Sequence, residues 1–316
     1  MMFSQIKYEI KGITSSITYE NDNIKDCRVN KLNVLQTNYG NFTPRFSHPN
    51  ERNKDTKALS FYESGNIKSI ALEERTKIET PIGTIKAELI TFYENGSIDS
   101  LFPSNGQISF GWSMEDETNL TEKYDFQFPF GAFTARIIGV RFYESGQLSS
   151  LILWPGEIVE IATPIGTIPI RIGFKLYENG LLASVEPAHP TIINTPIGNV
   201  TAFDYTALGA DADFNSIQFN ENGNLSCVYT NSDFVIKNIN TGKRENIFQH
   251  LRLDMLSDNF LKVPTVVQFE KDTVIFDNKE NTPSYKISEY EFLILYDGKF
   301  EDNACSPSDC SECIGC

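Results

Sequence analysis

The sequence lacks clusters of basic residues and long apolar runs. Its 42 Asp and Glu residues outnumber 27 Lys and Arg residues, which gives a formal net charge of −15. Nucleic acids and anionic membrane surfaces both attract Lys and Arg clusters, so the composition argues against either as a partner. No apolar stretch approaches the length of a membrane span, and the N-terminal residues lack the apolar core of a signal peptide. We therefore expect a cytoplasmic location.

Cysteine is almost missing from the body of the chain. Before residue 300 only Cys27 and Cys227 occur, too few for the disulfide framework of a secreted domain. A chain of this length buries roughly three quarters of its unfolded surface and does not need such crosslinks.

The sequence also lacks a phosphate-binding loop, a dinucleotide fingerprint and a nucleophile elbow. We therefore predict a protein that is not an enzyme.

One short motif occurs five times. It consists of Phe or Leu, then Tyr (Asn in the last copy), Glu, Ser or Asn, and Gly, and an Ile or Leu follows two residues after the glycine. Internal repetition at a spacing of tens of residues indicates an array of similar supersecondary units. The copies are Phe61–Gly65, Phe92–Gly96, Phe142–Gly146, Leu176–Gly180 and Phe219–Gly223, with a partial copy at Tyr19–Asp22.

Each copy of the motif predicts a β-hairpin turn. Two β-prone runs flank three residues that end in glycine, which adopts left-handed backbone conformations without a Cβ penalty. We expect a positive φ at the four glycines Gly65, Gly96, Gly146 and Gly180. The repeated glutamates at these turns are expected to be solvated, although they could also form an acidic row.

A second turn motif alternates with the first. It reads Thr-Pro-Ile-Gly at Thr80–Gly83, Thr163–Gly166 and Thr195–Gly198, with variants at Phe128–Gly131 and Thr37–Gly40. Apolar residues alternate between the turns, as in Ile168, Ile170 and Ile172, which predicts strands joined as a β-meander. The stretch before Tyr93 is one residue shorter than its counterpart before Tyr177, which indicates a bulge in one copy.

The regular spacing is interrupted once and ends near residue 240. The longest interval between the two turn types holds Met114–Tyr124, which we predict as a short helix. Beyond the array, Asn246–Leu261 has a helical tendency, Lys271-Asp272 predicts a hairpin turn, and Asp297-Gly298 predicts another. We therefore divide the chain into a hairpin array (1–240), a small β cap with a short helical segment (241–300) and a flexible Cys-rich tail (301–316).

The repeated Tyr-Glu-Asn-Gly-x-Ile/Leu-x-Ser unit resembles a family of known repeats. It is similar to the bacterial variant of the membrane occupation and recognition nexus (MORN) repeat found in antitoxin components of toxin–antitoxin systems, and Asn105–Trp112 is similar to it too. The resemblance covers about residues 15 to 230. It implies an all-β fold, with antiparallel hairpins stacked into an elongated twisted sheet that binds a protein partner.

The last twelve residues contain four cysteines, Cys305, Cys310, Cys313 and Cys316, in the spacing C-x4-C-x2-C-x2-C. Two-residue gaps bring neighbouring thiolates within reach of one metal ion. Three such cysteines in series are also similar to the C-x2-C-x2-C run of bacterial ferredoxins, although the distant fourth ligand and its proline are missing. The pattern predicts a four-cysteine site for an iron–sulfur cluster or, alternatively, zinc.

Three functions follow from these features. The first is a non-enzymatic cytoplasmic scaffold for protein interaction that carries the four-cysteine metal site. The second is a pure protein-binding repeat module, similar to the antitoxin-associated repeats, in which the tail is idle. The third is a substrate protein whose cysteine tail is modified by a maturation enzyme. The sequence alone leaves all three open.

Overall fold

Strands dominate the chain, which confirms the predicted all-β class. The computed structural model describes residues 8–54, 56–205, 207, 215–253, 260–278 and 281–295. Strands make up 57% of the chain, and the described part holds one α-helix, α1 (Met114–Leu120), and one 3₁₀ turn, Ile287–Glu289. Two compact units are formed. Among the described residues, the first comprises those in 8–188, 215 and 221–223, and the second comprises those in 189–207, 216–220, 224–253, 260–278 and 281–295.

The first unit contains the strands that carry four of the five full repeats. In chain order they are β1 (Ile13–Thr18), β2 (Ile24–Val29), β3 (Leu35–Thr37), β4 (Gly40–Phe42), β5 (Leu59–Phe61), β6 (Ile67–Thr80), β7 (Gly83–Phe92), β8 (Ile98–Phe102), β9 (Tyr124–Phe128), β10 (Gly131–Ala135), β11 (Ile137–Phe142), β12 (Leu148–Leu153), β13 (Val159–Thr163), β14 (Gly166–Leu176) and β15 (Leu182–Pro187).

Ten of these strands form the predicted antiparallel meander. They pair in the order β1-β2-β5-β6-β7-β8-β11-β12-β14-β15, so each repeat hairpin lies beside the next. The four predicted turn glycines Gly65, Gly96, Gly146 and Gly180 have φ values of 80°, 86°, 86° and 82°. The hairpin prediction is therefore confirmed at each of these turns.

The pairing aligns equivalent repeat positions in two rows across the meander. One row is apolar, and each of its members is at most 2% exposed; the other row is polar and lies on the opposite face, because its members are the direct sequence neighbours of the first. The apolar row consists of Cys27, Leu59, Ile70, Ile90, Leu101, Val140, Leu151, Phe174 and Val185. The polar row consists of Asp26, Ser60, Ser69, Thr91, Ser100, Arg141, Ser150, Lys175 and Ser184.

The repeated tyrosine connects each hairpin to its neighbour. Its hydroxyl donates a hydrogen bond to the backbone carbonyl that precedes the tyrosine of the next repeat. We call this contact the tyrosine clamp. It occurs at Tyr19 to Phe61 (2.9 Å), Tyr62 to Phe92 (2.8 Å), Tyr93 to Phe142 (2.8 Å) and Tyr143 to Leu176 (2.8 Å).

The second turn motif forms two-residue hairpin loops. Thr80 pairs with Gly83 across the loop, and its hydroxyl donates to the Gly83 carbonyl (2.6 Å) and accepts from the Ile82 amide (3.2 Å). The same contacts recur at Thr163 and Thr195. The threonine therefore satisfies backbone groups that a tight loop would leave unpaired.

A cluster of phenylalanines from the β9–β10 hairpin lies over the apolar row. The rings of Phe128, Phe130 and Phe133 stand nearly perpendicular to the Phe174 ring, at centroid distances of 5.3, 5.2 and 6.5 Å. Such edge-to-face contacts add to the stability that burial of the rings supplies. The variant turn at Phe128–Gly131 thus brings a second layer onto the sheet.

The predicted bulge lies in the longer of the two compared copies. The register of β14 against β15 shifts between Arg171 and Phe174, where Ile172 has φ 64° and Gly173 has φ 135°. A Cβ at Gly173 would overlap the carbonyl oxygen of Leu151 in the neighbouring strand β12. This bulge therefore requires glycine for both conformation and space.

The second unit contains the remaining strands. These are β16 (Thr191–Thr195), β17 (Gly198–Ala202), β18 (Ile217–Phe219), β19 (Leu225–Thr230), β20 (Asp233–Asn238), β21 (Arg244–Ile247), β22 (His250–Leu253), β23 (Phe260–Val263), β24 (Thr265–Glu270), β25 (Thr273–Asp277), β26 (Ser284–Lys286) and β27 (Tyr290–Leu295). Strands β19, β24, β25 and β26 pair in that order, and β20 lies between β21 and β27. Phe234 and Phe276 pack edge to face in its core, 4.8 Å apart.

In the predicted β cap (241–300), one hairpin turn was predicted correctly and one helical segment was predicted wrongly. The hairpin at Lys271-Asp272 joins β24 to β25 and is confirmed. The helical tendency assigned to Asn246–Leu261 is wrong for its described part, which forms β21, β22 and the start of β23. Pairing with neighbouring strands satisfies this backbone and outweighs a weak local preference. The predicted Asp297-Gly298 turn lies outside the described residues.

Candidate interaction surface

The predicted metal ligands Cys305, Cys310, Cys313 and Cys316 lie outside the described residues. Within the described ranges, no group of three or more His, Cys, Asp or Glu side chains is placed to hold a metal ion. The four-cysteine site therefore stays a prediction from the sequence.

The two body cysteines are core residues. Cys27 belongs to the apolar row and Cys227 lies in β19, and they are 2% and 6% exposed. Burial raises the pKa of the Cys27 thiol to about 11, with a further contribution from the Asp26 charge, and burial raises that of Cys227 to about 12. Because the thiolate is the reactive form, these values favour a packing role for both.

The glutamates at the hairpin turns are solvated. Glu63, Glu94, Glu144 and Glu178 are all exposed. At two of these turns, an asparagine side chain of the preceding turn donates a hydrogen bond to the backbone carbonyl of the glutamate. Asn23 donates to the Glu63 carbonyl (3.0 Å), and Asn66 donates to the Glu94 carbonyl (2.9 Å). The side chains of these glutamates are therefore solvated turn residues, and the turns are held in place by contacts between neighbouring hairpins.

The most unusual local structure lies in the insertion between β8 and β9. The helix predicted over Met114–Tyr124 is confirmed for its first seven residues as α1 (Met114–Leu120), which begins with a capping box between Ser113 and Asp116. The prediction ran too far, because Tyr124 begins β9. Trp154 is 7% exposed and donates from Nε1 to the Thr118 hydroxyl (2.9 Å). The helix is therefore packed against the start of the β12–β13 connection.

A buried carboxylate holds the loop before α1 in place. Glu117 has a side chain only 3% exposed and accepts hydrogen bonds from five donors. Two come from Arg52 (Nε, 2.8 Å; Nη2, 2.7 Å), and the others come from Trp112 Nε1 (2.7 Å), the Gly106 amide (3.0 Å) and the Ser104 hydroxyl. We call these residues the Glu117 cluster.

Arg52 extends the cluster to the sheet. Its Nη2 also contacts Glu88 on β7 (2.6 Å), whose other oxygen accepts from Arg75 (2.7 Å). Burial alone would raise the pKa of Glu117, but hydrogen bonds from Arg52, Ser104 and Trp112 and the charge of Arg52 lower it to about 2. A carboxylate with every lone pair occupied is unsuited to proton transfer, so the cluster acts as a brace.

The braced loop presents an apolar tip. Ser109 and Trp112 exchange backbone hydrogen bonds (2.8 and 3.2 Å) and form a tight turn with Phe110 at its tip. The Phe110 side chain is completely exposed, and Ile108 and Met114 beside it in sequence are 49% and 47% exposed. We call residues 108–114 the Phe110 loop.

Acidic residues lie next to the Phe110 loop. Glu115 and Asp116 in the first turn of α1 are exposed, and the Glu51 carboxyl lies 3.3 Å from the position that a Cβ on Gly111 would take. The surface thus combines an exposed aromatic ring with a negatively charged rim. Large exposed apolar groups with a polar rim are typical of protein interaction sites.

Sequence reasoning did not find the Phe110 loop. Asn105–Trp112 is similar to the repeat unit in sequence, but in the structure it forms a braced loop with a single isolated bridge. The signal was the longer interval before the Phe128–Gly131 turn. The partner of Glu117, by contrast, lies 65 residues away at Arg52, and no local pattern connects them.

No protein-family model, curated protein or solved structure matches this chain. None of the helices in the described ranges has the length and apolar content needed to cross a lipid bilayer.

Proposed function

We propose that this chain is a non-enzymatic cytoplasmic β-repeat scaffold that binds a protein partner through the Phe110 loop. The observation that carries the proposal is the fully exposed Phe110 ring on a turn that the Glu117 cluster holds rigid. The resemblance of the repeats to those of antitoxin components supports the same conclusion, because such repeats bind proteins.

The energetics favour a binding role for this loop. A buried charged cluster is costly to desolvate and is seldom the most stable solution for a core. Here it fixes a loop whose tip contributes nothing to the core, since Phe110 contacts solvent. Because the backbone of the turn is already fixed, binding through Phe110 needs little further ordering of the loop, and aromatic side chains are typical of the residues that dominate interface energies.

The rim defines the partner's chemistry. Glu51, Glu115 and Asp116 give the loop a negative border. A complementary surface therefore offers an apolar pocket that accepts a phenyl ring, with Lys or Arg at its edge. Association is expected to become slower as salt is raised, because rim charges act mainly on the association rate.

The cysteine tail adds a second proposed element. Cys305, Cys310, Cys313 and Cys316 hold an iron–sulfur cluster or zinc through four thiolates, and the scaffold presents this site to the bound partner. The spacing of the cysteines supports this part of the proposal, and metal analysis tests it separately.

Affinity capture tests the partner site. Tagged full-length chain and its Phe110→Ala variant are incubated with lysate of the source cells, and retained proteins are identified by mass spectrometry. Phe260→Ala removes a ring that is 66% exposed elsewhere and serves as the matched control. We expect a protein retained by the wild type and the control to be lost with Phe110→Ala, while the thermal unfolding temperature stays unchanged. Identical retention by all three chains would contradict the proposal.

A further inference from the structure

Strand β1 leaves one edge of the meander open. In the described part of the chain it pairs with β2 and with no other strand, and all six of its residues are exposed. Ile13 and Ile17 are 39% and 61% exposed, although the pairing of β1 itself is well formed apart from two register shifts. A row of outward N–H and C=O groups therefore faces solvent, which is the template for pairing with another strand.

The usual protection of an edge is missing from β1. Its sequence, Ile-Thr-Ser-Ser-Ile-Thr, contains no charged residue and no proline, and four of its six residues are β-branched. Natural sheets usually protect an exposed edge with a lysine or proline within the strand. β1 thus combines the backbone groups and the side chains that strand addition requires.

The charges at the two ends of β1 indicate what pairs with it. Exposed Lys11 and Lys31 lie at its N-terminal end, since the Asn30 amide bonds to Gly12 (2.9 Å) and the Lys31 side chain lies against Gly12. Exposed Glu20 and Asp22 lie at its C-terminal end. No ion pair within the described residues involves these four side chains. Each end also carries one exposed charge of the other sign, Glu9 near the lysines and Lys25 near the acidic residues, so the excess is one positive charge at the first end and one negative charge at the second.

We propose that β1 is a self-association edge, on which a second copy of this chain adds its own β1 in antiparallel orientation. Antiparallel pairing about a two-fold axis places the lysine end of each strand beside the acidic end of the other, whereas parallel pairing brings like charges together. A two-fold axis through the paired Ser16 residues sets Gly12 of each copy across from Glu20 of the other, so Lys11 and Glu20 lie within one position of direct opposition. The two meanders then form one continuous sheet.

The oligomeric state of the full chain tests this edge. Sedimentation velocity over a dilution series from nanomolar to high micromolar concentration is expected to show a reversible monomer–dimer equilibrium. Ile17→Lys puts a charge on the edge and should give a monomer throughout the series. Ile192→Lys, which changes an isoleucine that is 64% exposed on β16, is the matched control and should dimerise like the wild type.

A charge exchange identifies the partner as a second copy. Lys11→Glu and Glu20→Lys each replace two attractive pairs with two repulsive ones, so each single variant should weaken dimerisation by about tenfold. The double variant restores opposite charges at both positions and should recover the wild-type equilibrium. This recovery is expected only if the two side chains come close to each other across the interface.

Three results would overturn the inference. The first is a wild-type monomer at every concentration, which would indicate that the edge is covered within the chain or by a different protein. The second is a dimer that survives Ile17→Lys. The third is a double variant that dimerises no better than either single variant, because that would place Lys11 and Glu20 in separate contacts.

Discussion

At the scale of single residues, Glu117 shows how a charge is kept in a nearly dry site. Five donors surround its two oxygens, and Arg52 supplies the compensating charge. Such an arrangement costs desolvation energy for both ions, so its benefit is the fixed geometry of the groups around it. Those groups include Trp112 and Gly106, which belong to the loop that carries Phe110.

Acid should weaken the protein through Glu117. Its pKa is near 4.5 when unfolded and about 2 when folded, so its contribution is fully present above pH 4.5 and is lost as pH falls toward 2. Glu117→Gln removes this contribution, on the order of 3 kcal/mol at neutral pH. Urea unfolding at a series of pH values should therefore show a stability gap that narrows below pH 4.5. Glu115→Gln, on the exposed face of α1, should leave the curve unchanged.

Gly173 should tolerate substitution far less than the hairpin glycines. A methyl group there overlaps the Leu151 carbonyl, and the residue must also keep a φ of 135°. At Gly146 the φ is also positive, but an added Cβ meets nothing within 4 Å. We expect Gly146→Ala to cost about 1 kcal/mol. Gly173→Ala should cost several times as much or prevent folding, and equal unfolding midpoints for the two variants would contradict this account.

At the scale of elements, the repeats join through side chains as well as through strand pairing. A tyrosine hydroxyl reaches the backbone of the next hairpin at each of four successive junctions. The acceptor carbonyl always belongs to the residue before the next tyrosine, so one motif supplies both the donor and the acceptor. This explains why the motif pairs Tyr with a preceding Phe or Leu in a fixed order.

Removing any one tyrosine clamp should lower the free energy of unfolding by a small and similar amount. Tyr62→Phe, Tyr93→Phe and Tyr143→Phe each delete one hydrogen bond and keep the ring, so each should lower the free energy of unfolding by about 1 kcal/mol. The triple variant should lose roughly the sum if the junctions are independent. Tyr205→Phe, at a tyrosine 68% exposed in the second unit, is the control. Urea midpoints that do not separate the clamp variants from the control would contradict a stabilising role.

Sequence reasoning was strongest where structure depends on neighbours in the chain. The positive φ at Gly65 and the start of α1 at Met114 follow from residues a few positions apart, and the alternation around Ile168 and Ile170 fixes the strand faces. The Glu117 cluster depends instead on Arg52 and Glu88, which the fold alone brings together. Strands β21 and β22 were missed for the same reason, because pairing with other strands decides their conformation.

At the scale of the whole molecule, the chain separates its stabilising groups from its proposed binding groups. The apolar row, the tyrosine clamps and the Glu117 cluster all lie within the first unit and account for its order. The proposed binding features differ in kind: the Phe110 loop, the open edge at β1 and, from the sequence, the cysteine tail. Each of these three features can therefore be mutated with little effect on folding, so an experiment on one of them tests that proposal alone.

The cysteine tail should carry the metal without supporting the fold. If Cys305, Cys310, Cys313 and Cys316 bind one metal as thiolates, deletion of residues 304–316 should abolish iron or zinc content and leave the unfolding temperature nearly unchanged. Cys313→Ser should do most of the same damage, because Cys313 belongs to both two-residue gaps. Cys227→Ala is the control, since its thiol is buried and should not affect metal content. The metal content is measured by absorption spectroscopy and elemental analysis on protein purified without oxygen. Metal-free wild type would refute the site, and a mass increase confined to the tail peptide would favour covalent modification instead.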